Sequence, residues 1–382
     1  MGWVNSIRRP YSLIVVLVAV FALAACGNSE QAPPAPSTES EPRDPSVEKF
    51  LDDTLPNGAS GTVVAARDGS LAHCRGFGFA DRDAKVAARC DTVYDTMSMS
   101  KQFTAAAILK LEMMGKLRVS DPLSKFVGPV PDDKRAITLH HLLTHTAGLT
   151  EQLGGDYEAL SRREMLDGAL ESDLRSAPGT EYSYSNLGYS ILAAIIEQVS
   201  GSSYEEFLAE NLFAPAGMTQ TGYVLPEWKP DQVAVEYDEN GVPKGKPFDH
   251  PWAEDGPYWN LRGNGGMLCT ARDMFRWHTV LEGDQVLSES AKDKMFEPHV
   301  PEEEGGDSYY GYGWVVSPTD EGRIVWHDGG NGWSFGVMAR FPDQDRVVFW
   351  VSNQAYKDGE WNLEKQAQRL TLGIAEGVLD DD

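Results

Sequence analysis

Ser98-Met99-Ser100-Lys101 sets a hydroxyl three residues ahead of an amine. The residues that follow, Gln102 to Leu109, read as a helix carrying both groups, and positions i and i+3 of a helix share a face. A hydroxyl becomes a useful nucleophile when a neighbour takes its proton. A lysine does this near neutral pH if burial, nearby positive charge and the positive end of a helix lower its pKa. Two further segments suit the same chemistry. Tyr184-Ser185-Asn186 follows Pro178-Gly179-Thr180, on a loop just before a helix. A buried tyrosine beside a cationic lysine can ionise or pass a proton, because opposite charge favours the phenolate. An asparagine two residues on can orient the lysine or bind a substrate amide. His327-Asp328-Gly329-Gly330 stands at the end of a predicted strand, where paired glycines let a substrate backbone come close. A backbone N–H there, with that of Ser98, can form an oxyanion hole.

Other segments compete for attention. Ser46-Val47-Glu48-Lys49 repeats the Ser-x-x-Lys spacing, but it follows a Pro- and Glu-rich stretch and reads as a surface helix capped by Ser46. Gly332-Trp333-Ser334-Phe335-Gly336 has the spacing of a nucleophile elbow, which needs a helix, an acid and a histidine after it. A β run follows instead, and no histidine occurs beyond His327. His141 and His145 are spaced to grip a metal from one helix, but no Glu follows His141 and no third ligand is evident. His145 reads as structural, and no metal site is assigned. Trp252, Tyr258, Trp259 and Trp333 either line a cleft or belong to the core.

The elements that position these groups are legible in outline. Val47 to Leu55 is a short amphipathic helix, and Ser60–Arg67 and Leu71–Phe79 are β runs around the turn Asp68-Gly69. The helix of Ser98 runs to Met114 and stops at Gly115. Helices are predicted over Ser190–Val199, Tyr204–Leu212 and Asp273–Leu281. Strands are predicted over Tyr312–Ser317, Arg323–Trp326, Ser334–Phe341 and Arg346–Ser352, with a closing helix over Asn362–Leu379. Strands at both ends with helices between predict an α/β (α+β) fold. One antiparallel sheet is built from both chain ends and flanked by helices, and a mainly helical subdomain, at about residues 120–300, is inserted.

With these elements in place, the order Ser-x-x-Lys, Tyr-Ser-Asn, His-x-Gly resembles the serine hydrolases related to class C β-lactamases and D-Ala-D-Ala carboxypeptidases. The resemblance runs from about residue 47 to 375. It includes Leu142-Leu143-Thr144-His145-Thr146-Ala147-Gly148-Leu149, the run Tyr182 to Tyr189, and Gly311-Tyr312-Gly313-Trp314. The resemblance implies that Ser98 is acylated and that Lys101 and Tyr184 share the proton work. Asn186 then positions substrate and Lys101, and His327 takes the place a lysine holds in the β-lactamases. The N–H groups of Ser98 and Gly330 face the substrate carbonyl oxygen, and Asp328, Gly329 and Gly330 join Asn186 and His327 as substrate-binding residues. It implies a small-molecule or peptide substrate and no metal or organic cofactor. One position departs from the pattern: Asp328 stands where relatives often carry Thr or Ser. Facing the cleft, it would repel a substrate carboxylate and favour an ester, lactone or amide; pointing elsewhere, it merely ends a strand. Arg262 or Arg272 are candidates for a compensating charge. A binding protein that keeps the fold without catalysis is the rival of a different class.

The ends and the composition set the context. Arg8 and Arg9 precede the apolar run Leu13–Ala25, and Leu23-Ala24-Ala25-Cys26 resembles a lipoprotein lipobox. Residues 1–25 thus read as a lipoprotein signal, Cys26 as the lipidated residue, 26–45 as a disordered tether and 46–379 as the hydrolase domain. The expectation is an exported protein held to a lipid bilayer; a soluble secreted form and an anchor helix are the alternatives. Export permits a disulfide between Cys74 and Cys90, which otherwise are two buried thiols; Cys269 reads as a small buried apolar residue. A net charge of −25 argues against nucleic acid as a partner. Oligomeric state is left open.

Overall fold

A computed structural model describes residues 41–378; the expected signal segment, Cys26 and most of the expected tether lie outside the described residues. Eight strands form one antiparallel sheet. Its order from one edge is Val300–Pro301, Tyr309–Tyr310, Val315–Thr319, Gly322–Gly330, Phe335–Phe341, Arg346–Ser352, Gly61–Arg67 and Ser70–Phe77. The N-terminal hairpin pairs with the last long strand, Gly61 opposite Ser352 and Arg67 opposite Arg346, so the sheet is completed by both ends of the chain as expected. The hairpin turn works because Asp68 and Gly69 both take positive φ, 49° and 67°, which matches the right-handed twist of the flanking strands.

Each sheet face buries a different set of apolar side chains. One face packs Val63, Val337, Val348 and Trp350 against the outer helices Pro45–Thr54 and Ala367–Gly377. The other packs Val64, Val325, Met338 and Phe349 against the helical body around Lys101–Met113. That helix is buried on nearly every side, as befits a sequence apolar all round. It ends at Gly115, φ 70°, where the Lys116 N–H reaches the Leu111 carbonyl at 3.0 Å and satisfies a last-turn acceptor.

Several boundaries depart from expectation. Asp44, not Ser46, caps the first helix, its carboxylate accepting from the N–H groups of Ser46 and Val47. The helix begun at Tyr204 winds regularly only to Leu208 and loosens to a π turn over Ala209–Phe213. Tyr312 does not begin a strand: Gly311 and Gly313 break the run, and pairing resumes at Val315. Gly313 has φ 74°, and a β-carbon there would lie 2.8 Å from the Lys101 carbonyl oxygen, so this loop presses on the start of the central helix. The closing helix starts at Ala367, not Asn362; Trp361–Asn362 pairs with Tyr356–Lys357 and a single 3₁₀ turn intervenes. Cys74 and Cys90 are joined as a disulfide with Cα atoms 6.0 Å apart, and Cys269 is buried.

Candidate active site

Ser98 stands in a short 3₁₀ turn, Met97–Ser100, that runs straight into the α-helix beginning at Lys101. In such a turn i and i+3 eclipse one another, so the serine and the lysine meet even more directly than on an α-helix. Lys101 Nζ lies 3.1 Å from Ser98 Oγ. Its other two contacts are Asn186 Oδ1 at 2.7 Å and the Asn264 carbonyl at 2.8 Å. Those two partners can only accept, so they claim two N–H bonds of the amine. The third position of nitrogen points at the serine hydroxyl.

Lys101 is fully buried. Burial lowers its pKa to about 7, against the opposing pull of Asp156, Asp328 and Glu151. A pKa of about 7 lets the amine lose its proton near neutral pH while it stays within hydrogen-bond distance of Ser98. Tyr184 hydrogen-bonds Ser98 from another side, but burial drives its phenol well above the ordinary range, and Asp328, Glu151 and Glu302 add to the rise. Of the two behaviours expected of Tyr184, ionising or passing a proton, this environment disfavours the first. Desolvation and the surrounding carboxylates favour the protonated phenol.

Asn186 is the first residue of the helix Asn186–Ser200, whose cap is Ser185, its Oγ accepting from the Gly188 N–H at 3.1 Å. That cap places Tyr184 just outside the helix and Asn186 just inside, both toward Lys101. His145 fixes the loop from beneath. Its carbonyl accepts from the Ser183 N–H and its Nδ1 from the Ser185 N–H, at 2.8 and 3.0 Å. Its ring lies 4.3 Å from that of Tyr184. His145 adopts φ 58°, beyond the end of the short helix Leu139–Leu143. The pairing of His141 and His145 on one helical face is therefore absent, and His145 serves the Tyr184 loop.

The strand Gly322–Gly330 brings the third segment alongside, so His327 to Gly330 lie within a strand longer than expected. A β-carbon on Gly329 would stand 2.8 Å from the Ser98 nitrogen and 2.9 Å from the Thr96 carbonyl oxygen. Glycine is what lets the strand reach the serine turn. His327 receives the Tyr310 hydroxyl at Nε2 (3.0 Å) and donates from Nδ1 to the Asp328 carbonyl (2.6 Å). Burial, then the Lys101 charge, lowers its pKa to about 3. His327 is thus a neutral imidazole and brings no positive charge to the site.

A cavity of about 600 Å³ opens at Ser98, walled by Tyr182, Tyr184, Tyr310, Trp326, His327, Asp328, Gly329, Gly330, Tyr356, Glu302 and Glu364 among others. Asp328 faces this cleft; burial, Glu364 and Glu302 all hold its pKa up. Arg262 is bound to Asp255 at 2.7 and 2.8 Å and Arg272 to Glu41, and neither lines the cleft. Trp252, Tyr258, Trp259 and Trp333 do not line it either. Ser334 is buried with its hydroxyl on Glu236 at 2.7 Å and a strand follows, so the elbow spacing there has no elbow geometry.

Sequence reasoning missed three supports. The carbonyl of Asn264 holds Lys101, on a loop where Gly263 and Gly266 take positive φ; the cluster Gly263-Asn264-Gly265-Gly266 was the available signal. Asp95 Oδ1 accepts from the Met97 N–H at 2.6 Å and so secures Met97, φ 49°, beside Ser98. Asn331 then bridges Asp95 and Glu236, at 3.4 and 2.7 Å. The Asp95 contact is a local one, two residues along, that sequence reasoning overlooked, whereas no local spacing marks Asn331, whose partners Asp95 and Glu236 lie far away in sequence.

The chain shares this architecture with known proteins. Penicillin-binding protein 4* of Bacillus subtilis (strain 168) is 29% identical over 331 residues, covering 82% of this chain and 72% of that one. The D-alanyl-D-alanine-carboxypeptidase/endopeptidase AmpH of Escherichia coli (strain K12) is 29% identical over 344 residues, with 83% and 85% coverage. Among solved structures, the octameric penicillin-binding protein homologue from Pyrococcus abyssi superposes with TM-score 0.73 at 25% identity, covering 87% of this chain and 76% of that one. The D-amino acid amidase from Ochrobactrum anthropi SV3 shares the fold, with TM-score 0.74 at 21% identity and coverage of 88% and 99%. A family model described as Beta-lactamase matches residues 50–373, and the chain belongs to that family.

Proposed function

We propose that this protein is a serine hydrolase in which Ser98 takes up the acyl group of an ester, amide or peptide and water then releases it. The observation that carries the reading is the coordination of Lys101: two acceptor-only partners and, at 3.1 Å, the Ser98 hydroxyl. Neutral Lys101 removes the Ser98 proton as Oγ attacks the carbonyl carbon. The N–H groups of Ser98 and Gly330 stabilise the oxyanion. Tyr184 gives its proton to the departing oxygen or nitrogen, and the proton on Lys101 restores it. In deacylation the same groups remove a proton from water and return it to Ser98.

The names of the relatives favour a peptide bearing a terminal carboxylate, as in D-Ala-D-Ala hydrolysis. The carboxylates of the cleft favour a substrate without one. The Cys74–Cys90 disulfide supports an exported protein, and the lipobox-like Cys26 supports attachment to a membrane. Ser98→Ala and Lys101→Ala, assayed beside the wild type with a p-nitrophenyl ester and a D-amino-acid amide, test the reading. Both variants should fold, by circular dichroism, and both should lose turnover. A folded Ser98→Ala protein with undiminished hydrolysis would overturn it, leaving the non-catalytic binding protein or another nucleophile.

A further inference from the structure

Three carboxylates, Glu302, Asp328 and Glu364, border the cleft at Ser98, and among the described residues no lysine or arginine lines it apart from Lys101, which lies buried 3.1 Å from Ser98 Oγ. Two more, Glu151 and Asp156, act on Lys101 from nearby. Among the described residues, Asp328 and Glu364 have no cationic partner within salt-bridge distance. Asp328 sits on the strand face that also carries Ile324 and Trp326, opposite to His327. On this face a second cavity, of about 530 Å³, continues outward from the cleft. The two cavities share Trp326, Asp328 and Glu364. Beyond those three the second is walled largely by apolar groups such as Val337, Ala339 and Leu372, with Lys365 its one basic residue.

A negative gate flanked by an indole and followed by an apolar groove has a chemical complement. We infer that the substrate is an ester or amide carrying an ammonium or similar cation on an aliphatic arm. The cation is held between Asp328 and Glu364 beside Trp326, and the arm extends along the groove. This inference rests on the proposed hydrolase function and narrows its substrate class. Carboxylates attract such a group and repel an anionic one across the same distance. The indole face adds attraction for a cation and none for a carboxylate.

The test is a matched set of p-nitrophenyl esters: hexanoate, aminohexanoate and the half-ester of adipate, neutral, cationic and anionic at the far end. Their kcat/KM values are measured at about pH 8, in about 20 mM and about 500 mM salt. The same set is run with Asp328→Asn and Glu364→Gln. The expected order is cationic, neutral, anionic, with about tenfold between neighbours. Each substitution, and the higher salt, should shrink the cationic-to-anionic ratio several-fold. Reading a ratio keeps the outcome independent of any general loss of activity in a variant. Equal turnover of the three esters, an anionic preference, or a ratio unmoved by both substitutions would overturn the inference and leave the hydrolase reading standing. Absence of turnover for all three, together with no labelling of Ser98 by a phosphonate, would overturn both.

Discussion

Replacing Asn186 with aspartate exchanges a neutral acceptor for a charged one at 2.7 Å from Lys101 Nζ and leaves the shape of the site almost unchanged. At that distance a carboxylate attracts an ammonium by about 6 kcal/mol if the effective dielectric is about 20. Solvent relaxation and the cost of ionising the new carboxyl in a partly buried site remove about half. The remaining stabilisation of about 3 kcal/mol raises the lysine pKa by about 2 units. The catalytic form is the neutral amine, so kcat/KM of the wild type should fall tenfold per pH unit below about pH 7 and level off above it. His327, at about 3, and His145, lower than an ordinary imidazole, do not supply that limb. In Asn186→Asp the limb should move up by about 2 pH units, cutting activity at neutral pH about fiftyfold and restoring most of it near pH 10. Initial rates on a neutral p-nitrophenyl ester, with the Ser98→Ala protein as the blank for spontaneous hydrolysis, give the profile. An unmoved limb, or a loss that high pH does not repair, would refute the assignment of Lys101 as the base.

Other consequences are more local. Tyr184→Phe should slow an amide by about a hundredfold or more and a p-nitrophenyl ester far less, since nitrophenolate leaves without a proton; equal losses on both would remove Tyr184 as the acid. Gly329→Ala forces a β-carbon against the Ser98 nitrogen and the Thr96 carbonyl, and should cost about a hundredfold in kcat by displacing the nucleophile while far-UV circular dichroism stays native. Wild-type rates from that variant would show that the strand does not hold the serine turn. Replacing both Cys74 and Cys90 with alanine releases a closure over 16 positions and should reduce unfolding free energy by about 3 kcal/mol in urea titrations, with kcat unchanged.

Much of the site was legible because its chemistry is written in short spacings. Ser98 and Lys101 are three apart, and a 3₁₀ turn and an α-helix alike bring that spacing together. Tyr184 and Asn186 stand where a loop enters a helix, and the paired glycines signal a close approach, although the approach seen at Gly329 is to the serine turn and not to the expected substrate backbone. The sheet was legible for a similar reason: Asp68-Gly69 dictates a hairpin, and alternation runs clearly through Phe335–Phe341 and Arg346–Ser352. What escaped depends on distance. Whether Asp328 faces the cleft is decided by the register that sets it opposite Val337, and that register is a property of the assembled sheet. Tyr184 kept its proton because four side chains from separate segments set its field, and burial dominates all of them. Asn264 and Asn331 act through hydrogen bonds to residues far along the chain, which no local pattern encodes, while Asp95 acts on Met97 only two residues away. The strand boundary at Tyr312 failed because Gly311 and Gly313 serve contact with the central helix rather than pairing.

The most direct test of the central claim is the rate at which a fluorophosphonate modifies the protein as pH is varied, read by intact mass and by mapping of the modified peptide. The account predicts one adduct per chain, on Ser98, forming at a rate that rises with a midpoint near pH 7, as Lys101 loses its proton. An adduct on any other residue, or labelling of Ser98 that ignores pH across that range, would contradict it.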